Sequence, residues 1–199
     1  MQSTKNRILH NAEELFFDHG IANVRLQQIA DKTGISVGNL AYHFKNKETI
    51  VEAVYEGLME HISDILMNYN IHSGLKNFDA KFSNLYHFMK IKKFYFVNFW
   101  EIKRNYPDVN EKIGRVNNKI LMKLRKQITD NVKSGVFKKE SYKGDHNLLA
   151  GALFLSINSW LPQQLLKEKR IIERDFKNFL WGHLYPHLSE KGIKEFNSL

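Results

Sequence analysis

Cysteine is absent from the 199 residues of this sequence, and proline occurs only three times. The lack of cysteine excludes disulfide bonds and zinc sites built on thiolates, and it favours a reducing compartment. None of the prolines (Pro107, Pro162 and Pro186) lies in an alternating run rich in Val and Ile, and we find no strand pattern elsewhere. The composition therefore predicts an all-α fold.

Long apolar runs are also missing. The longest, residues 148–157, is too short to cross a bilayer, and residues 1–17 lack the apolar block of a signal peptide. We therefore expect a cytoplasmic protein without membrane contact. The net charge of +9 favours polyanions such as nucleic acid, but residues 1–48 hold only six bases against five acids. Charge alone does not point to that part of the chain.

Apolar residues at helical spacing and helix-stopping glycines predict four helices in the first third of the chain. They are expected at about residues 3–19, 26–33, 37–44 and, capped by Asn46, from 47 to about 70. Further helices are predicted at about 76–89, 91–105, 108–133, 146–168 and 172–188. Pro162 is expected to bend or break its helix, and the tail 189–199 is expected to fray.

Residues 26–44 have the pattern of a helix-turn-helix motif. Gly34 ends the first short helix, and the hydroxyl of Ser36 can cap the second. In this second helix only Leu40 and Phe44 form a buried seam, whereas the other positions are small or polar. Such a surface suits the major groove of DNA, which is about 12 Å wide.

The side chains of this motif predict individual contacts with DNA. Asn39 can pair with adenine or donate to a phosphate, and Val37 or Ala41 can touch a thymine methyl group. Contacts at the height of the phosphates are expected from Gln27, Tyr42, His43 and Lys47. The motif also occurs as a packing unit or a protein-binding module. In those readings His43 binds a backbone carbonyl and Val37 belongs to the core.

Residues 8–54 resemble the DNA-binding domain of TetR-family transcriptional regulators. The matching residues share one register: Ala12, Leu15, Phe16, Gly20, Ile29, Ala30, Gly34, Ile35, Ser36, Gly38, Leu40, His43, Phe44, Lys47 and Glu48. The resemblance implies about nine helices, with three in a DNA-binding head and the rest in a C-terminal domain for dimerisation and ligand binding. It also implies a regulator of transcription, usually a repressor that a small molecule releases.

The resemblance assigns base reading to Val37, Gly38, Asn39 and Tyr42, and phosphate contacts to Gln27, His43 and Lys47. Two positions depart from the family pattern. Arg25 stands where the family commonly has threonine, so a capping hydroxyl is lost and a phosphate contact can be gained. Ala41 stands where tyrosine is common, which removes an expected contact with DNA.

Ten aromatic residues lie in residues 78–106, more than two helices need for their packing. Each one, taken singly, fits the core better than a binding site. Together they predict a pocket for an apolar or aromatic effector, lined by Phe82, Tyr86, Phe96, Phe99 and Trp100. Lys90, Lys92 and Lys93 can attract an anionic effector or simply form a solvated turn.

Residues 146–160 are small or apolar on nearly every face, so their helix needs partners all around. With residues 171–188 this helix predicts a homodimer interface over about 146–188, and burial within a monomer is the alternative. A dimer would read a palindromic operator in double-stranded DNA. His183 and His187 have no evident third ligand, so no metal or other cofactor is predicted. No motif typical of an enzyme occurs.

The sequence thus predicts a helix-turn-helix domain in residues 1–48, a linking helix over 47–70, and a ligand-binding and dimerisation domain in 71–199. The predicted function is sequence-specific regulation of transcription, as a repressor released by a small-molecule effector. One alternative is a DNA binder of the same family that a protein partner controls without an effector. Another is a small-molecule sensor or carrier that has lost specific DNA binding.

Overall fold

The computed structural model describes residues 3–67 and 74–199, and within these ranges the chain is all-α, as predicted. The N-terminal helices are α1 (Thr4–His19), α2 (Leu26–Thr33), α3 (Val37–His43) and α4 (Lys47–Met67). They are followed by α5 (Gly74–Ile91), α6 (Lys93–Val97), α7 (Phe99–Asn105), α8 (Pro107–Lys133), α9 (Asp145–Leu166), α10 (Glu173–Leu184), a 3-10 turn (Tyr185–His187) and α11 (Glu190–Phe196). The predicted end of the fourth helix near residue 70 lies outside the described residues.

The chain divides into two compact units. The head unit contains Met1–His61 and Lys92–Gly114, and the body unit contains Ile62–Ile91 and Arg115–Leu199. This division differs from the predicted boundary near residue 70, because α6, α7 and the start of α8 group with the first helices. The functional assignment of the domains stays a prediction.

The core of the head unit is built on the apolar stripe predicted for α1, in which Ile8, Ala12 and Phe16 are fully buried. The ring of Phe94 from α6 packs against Phe16, with ring centroids 5.7 Å apart, and against Tyr55 of α4 at 5.2 Å. These contacts explain why a segment far along the chain belongs to the head unit.

The body unit is held by aromatic rings from α5, α10 and the segment after α8. Phe78 stacks on Phe137 with centroids 5.9 Å apart, and Phe82 meets Trp181 edge-on at 5.5 Å. Pairs of this kind stabilise a core beyond the area that they bury. Among the described residues, no helix has the length and hydropathy that crossing a membrane requires.

The single helix predicted at residues 91–105 is wrong, because the chain breaks at Asn98 into α6 and α7. The side-chain amide of Asn98 donates to the carbonyl oxygen of Phe94 at 3.2 Å. In a continuous helix that carbonyl would accept from the backbone N–H of residue 98. The side chain therefore competes with the helical ladder at this point.

Pro162 does not break its helix, since α9 is helical from Asp145 to Leu166, and the alternative of a bend stays a prediction. Proline removes one ladder hydrogen bond. The two preceding residues, Trp160 and Leu161, are buried, and their packing keeps this turn helical.

The predicted fraying of the tail is wrong as well. Helix α11 starts at Ser189, whose hydroxyl accepts a hydrogen bond from the backbone N–H of Gly192 at 3.1 Å. The ring of Phe196 lies edge-on to Trp181 with centroids 5.0 Å apart. A cap at one end and the half-buried ring of Phe196 at the other hold this short helix on the body unit.

Candidate nucleic-acid interface

The turn between α2 and α3 has the geometry that the sequence predicts. Gly34 is left-handed, with φ 71° and ψ 39°, a conformation that residues with a side chain rarely adopt. The hydroxyl of Ser36 accepts a hydrogen bond from the backbone N–H of Asn39 at 3.1 Å and so caps α3. The turn and cap fix the direction of α3 relative to α2.

Helix α3 buries one residue and presents the others outward. Leu40 is fully buried and Phe44 closes the seam after the helix, whereas Gly38, Asn39, Ala41 and Tyr42 are exposed. Tyr42 is the extreme case, with 86% of its surface accessible. Two further predicted contact residues, Val37 and His43, are half-buried. The residues assigned to base reading thus lie together on α3, with Val37 nearest to the core.

The fold does not need a glycine at position 38. Gly38 has no positive φ, and an added Cβ atom would meet only the hydroxyl of Ser36 at 3.9 Å, an ordinary contact distance. Glycine in a helix is less favourable than alanine by about 0.5–1 kcal/mol. The fold of the monomer therefore gives no reason for a glycine here, and close approach of the Gly38 backbone to DNA stays a prediction.

Arg25 and Gln27 lie exposed at the start of α2. The predicted loss of a capping side chain at Arg25 is confirmed, and the side chain of Gln28 accepts from the Arg25 backbone N–H instead, at 2.7 Å. The Gln27 amide donates to Asp31 at 2.7 Å, one helical turn along. Contact of Gln27 with a phosphate would have to exchange this hydrogen bond, whereas the Arg25 guanidinium is exposed at the helix N-terminus, where anions are favoured.

Lys47 begins α4, the position predicted for it, but its ammonium group is engaged within the protein. Its ammonium group donates to three backbone carbonyls, those of Ile21 (2.9 Å), Ala22 (3.2 Å) and Val24 (3.1 Å). These acceptors belong to residues 20–25, which we call the α1–α2 loop. All three ammonium protons are thereby used within the protein, so the side chain holds the loop before helix α2.

The same loop is held from its N–H side by a residue that sequence reasoning missed. The carboxylate of Glu101, in α7, accepts from the backbone N–H groups of Ile21 (3.1 Å) and Ala22 (2.5 Å). Hydrogen bonds to a charged group are the stronger kind. We call Glu101 and Lys47 together the loop clamp. Eighty residues separate Glu101 from Ile21, and no local pattern signals such a contact.

Two basic residues near the N-terminus were also missed as contact candidates. The ammonium of Lys5 lies 5.7 Å from the ring centroid of Phe44, at the end of α3. The guanidinium of Arg7 donates to the carbonyl oxygen of Thr33, at the end of α2. Lys5 therefore brings a positive charge next to the exposed helix. Its position in the first turn of α1 carries no sequence signal for this, because the contact depends on how α1 packs.

The five residues predicted to line an effector pocket are divided between the two units. In the body unit, Phe82 is buried against Trp181, and the hydroxyl of buried Tyr86 donates to the carbonyl oxygen of Ile171 at 3.1 Å. In the head unit, Phe96 is buried, whereas Phe99 and Trp100 are exposed. Core packing accounts for the first two, and a shared pocket for all five stays a prediction.

A shallow pocket of about 250 Å³ lies elsewhere in the head unit, between α1 and α4. Its lining includes His10, Glu13, Gly57 and Lys92 and none of the predicted pocket residues. The Lys92 ammonium and the Glu13 carboxylate form an ion pair there at 2.6 Å.

Comparison with known proteins identifies the helix-turn-helix segment. A family model described as bacterial regulatory proteins, tetR family, matches residues 8–54. The regulator TtgR of Pseudomonas putida is 36% identical over 59 residues, which are 30% of this chain and 28% of TtgR. The regulator RutR of Escherichia coli K12 is 32% identical over 110 residues, 55% of this chain and 46% of RutR. The chain thus matches less than half the length of either relative.

Solved structures match over nearly the whole chain. A TetR-family regulator from Marinobacter aquaeolei VT8 superposes with a TM-score of 0.81 at 20% identity, covering 96% of this chain and 93% of that one. A transcriptional regulator from Saccharomonospora viridis in complex with choline gives 0.77 at 18% identity, covering 94% and 97%. The SmeT–triclosan complex gives 0.64 at 18% identity, covering 95% and 93%. These likenesses confirm the predicted fold, an N-terminal helix-turn-helix followed by a helical C-terminal part.

Proposed function

We propose that this chain is a member of the TetR family of bacterial regulatory proteins and not an enzyme, which the match of residues 8–54 and the likeness of the fold support. It acts as a dimeric repressor of transcription that a small molecule releases from its operator in the cytoplasm. The observation that carries the proposal is the surface of α3. It exposes a glycine, an asparagine and a tyrosine from a capped, rigid helix that buries only Leu40. Exposed to water, these groups add little to the stability of the monomer. In a major groove they can form hydrogen bonds with base edges and phosphates.

Dimerisation is supported by the exposed face of α9 and α10. Leu148, Leu155 and Leu166 lie on one line along α9 and are all exposed, Leu155 by 68%. On α10, Phe179 is exposed beside Gly182, where an added Cβ would meet nothing within 4 Å. We call these five residues the α9–α10 face. A contiguous apolar face of this kind marks an interaction surface.

The two helices present this face side by side. The ring of His183 packs edge-on against Phe179 with centroids 5.3 Å apart, and it shares a hydrogen bond of 2.9 Å with the hydroxyl of Ser156 on α9. Two such faces related by a two-fold axis would form a four-helix interface. The paired recognition helices would then read half-sites about 34 Å or more apart.

The loop clamp supports a route by which an effector acts on the DNA-binding helices. Glu101 ties α7 to the α1–α2 loop, and Lys47 ties the first turn of α4 to the same loop. A movement of α7 or α4 would therefore be transmitted to α2 and α3. An effector drives such a movement only by binding one arrangement more tightly than the other.

The chemistry of the effector is indicated by a buried cation in the body unit. Lys81 is only 3% exposed, and its ammonium donates to Gln127 at 3.0 Å, while the Gln127 amide donates to Asn77. Burial, with a smaller effect of Lys123, lowers the pKa of Lys81 to about 8. A mainly apolar effector with an acidic end would supply the missing negative charge.

The DNA part of the proposal is tested by selection of random duplex DNA at physiological salt, followed by sequencing. We expect the wild-type chain to enrich a palindrome and Tyr42→Ala to lose that enrichment. Tyr142→Ala is the matched control, because Tyr142 is also exposed but lies in the body unit. Binding without enrichment that falls steeply with salt and ignores Tyr42 would refute specific recognition.

The effector part is tested separately, by operator affinity in the presence of medium-chain carboxylic acids and of the corresponding uncharged amides. We expect the acids to weaken operator binding of the wild-type chain and to have little effect on Lys81→Met. Equal effects of acids and amides would refute the role of Lys81. No effect of either class would favour the second candidate function, control by a protein partner, which the close packing of Phe82 and Tyr86 supports.

A further inference from the structure

Two histidines and a buried aspartate converge in the body unit, away from the residues that the proposed function uses. Asp145 and His146 begin α9, and His187 ends the 3-10 turn that follows α10. One ligand atom from each of the three side chains lies within 4.8 Å of the others. The sequence pointed instead to the pair His183 and His187, which lacks a third ligand, because the meeting of α9 with the 3-10 turn is a long-range feature.

Backbone hydrogen bonds hold the turn that carries His187 against the segment that follows α8. The backbone N–H of Lys138 donates to the carbonyl oxygen of His187 at 2.9 Å, and Ser189 donates to Val136 at 3.0 Å. Phe137 and Leu188 form an isolated antiparallel bridge between the same two segments. The arrangement of ligands is therefore built into the fold, as a preorganised site requires.

The side chains face one another without close hydrogen bonds between them. The carboxylate of Asp145, only 8% exposed, accepts from the backbone N–H of Ser141 at 3.2 Å and lies 3.9 Å from His187 Nδ1. Glu140 lies 4.0 Å from His146 Nδ1 and also accepts from the His146 backbone N–H at 3.2 Å. Both ion-pair distances are too long for a hydrogen bond, so Asp145, His146 and His187 converge without being tied to one another.

Two imidazoles and carboxylate oxygens form a donor set that zinc prefers. Ligand atoms around a tetrahedral zinc ion are about 3.3 Å apart, so the ligand atoms, now within 4.8 Å of one another, have to approach by up to about 1.5 Å. The side chains of His146 and His187 are 12% and 25% exposed, so neither ring is fully enclosed. Burial lowers the pKa of His187, an effect that His146 and Lys138 reinforce and Asp145 opposes.

Groups of both signs of charge surround the proposed ligands. The N-terminus of α9 and Lys138 repel a cation, whereas the carboxylates of Asp145 and Glu140 attract it. We propose that Asp145, His146 and His187 form a binding site for Zn²⁺ or a similar divalent transition metal, with water as the fourth ligand. The ion would join the start of α9 to the turn after α10 and so brace the two helices that carry the α9–α10 face.

The test uses the full-length chain without an affinity tag, stripped of metal with a chelator. Zn²⁺ is titrated calorimetrically, Co²⁺ is added as a spectroscopic probe, and thermal unfolding is followed with and without Zn²⁺. We expect one ion per chain at micromolar or lower concentration, visible Co²⁺ bands of a four-coordinate site, and a higher midpoint of unfolding with Zn²⁺. His187→Gln and His146→Gln should each weaken binding at least tenfold.

The matched control is His87→Gln. His87 also faces one carboxylate, that of Glu173, at 3.8 Å, but no third ligand. Its variant should bind as the wild type does. The proposal is overturned if no ion binds at micromolar concentration, or if His187→Gln binds as tightly as the wild type with its fold intact by circular dichroism. No DNA takes part in these measurements, so their result is independent of the proposed function.

Discussion

The surfaces of α3 and of the α9–α10 face are both unusual for a monomer, but in opposite ways. Helix α3 exposes a backbone without a side chain at Gly38 and polar tips at Asn39 and Tyr42. The α9–α10 face exposes leucines and a phenylalanine around Gly182. The surface of α3 can form hydrogen bonds and lets a partner approach the backbone closely, whereas the α9–α10 face can bury apolar surface area against a partner. The difference fits the two partners proposed above, a nucleic acid for α3 and a second copy of this chain for α9 and α10.

The largest effect is expected at the α9–α10 face, from Leu155→Glu. A carboxylate buried twice in a two-fold interface costs about 3 kcal/mol or more, so the dimer should dissociate about 100-fold more readily. Operator affinity should fall with it. The measurements are sedimentation and operator titration. Met122→Glu is the control, since Met122 is equally exposed, at 67%, but lies on α8. If both variants behave alike, the leucine stripe is not an interface.

The next effect is expected on α3, where Gly38→Ala should separate folding from function. The free energy of unfolding should rise by about 0.5–1 kcal/mol because alanine favours the helix. Operator affinity should fall about tenfold because the methyl group obstructs close approach. Gly57→Ala, an exposed glycine of α4 with open space around it, should stabilise the protein without this loss. Unchanged operator affinity in Gly38→Ala would contradict backbone contact with DNA.

A smaller effect is expected from Glu101→Gln, which acts on α3 from a distance. The amide keeps one acceptor oxygen but loses the charge, so the head unit should lose about 1–2 kcal/mol of stability. Hydrogen exchange at the Ile21 and Ala22 amides should accelerate, operator affinity should fall a few-fold, and dimerisation should not change. Glu60→Gln, exposed on α4, serves as the control. Slow exchange at Ile21 and Ala22 in Glu101→Gln would show that the loop does not depend on this carboxylate.

The smallest effect concerns the salt dependence of operator binding and distinguishes two lysines of the head unit. Lys5→Met should reduce the slope of log affinity against log salt by about 1, because a phosphate contact is lost. Lys47→Met should leave the slope unchanged, because its ammonium is bound to three loop carbonyls. A reduced slope in Lys47→Met would restore the phosphate contact predicted from the sequence.

Local features of the fold could be predicted from the sequence because local chemistry determines them. The second helix has the predicted bounds, and Gly34 and Ser36 act as the predicted stop and cap. Contacts between distant segments could not be predicted. Glu101 and Lys47 meet the α1–α2 loop only after α4, α6 and α7 have packed, and His187 meets Asp145 only through the bridge at Phe137 and Leu188.

The orientation of α9 shows a second reason why part of the structure could not be predicted from the sequence. When nearly every position of a helix is apolar, periodicity cannot tell which face turns inward. The structure buries Leu149, Leu153 and Ile157 and exposes Leu148 and Leu155. The exposed leucines could be identified only once the structure showed which face of α9 is buried. Their exposure favours an external partner over burial within one monomer.

The loop clamp has a consequence for protein engineering. Helix-turn-helix heads are attractive parts for exchange between regulators, to join the DNA preference of one to the trigger of another. Here a graft that ends within α4 would carry Lys47 but leave Glu101 behind, and two loop N–H groups would lose their acceptor. A functional chimaera of this protein therefore has to carry α6 and α7 as well, or provide a carboxylate at the position of Glu101 in the recipient.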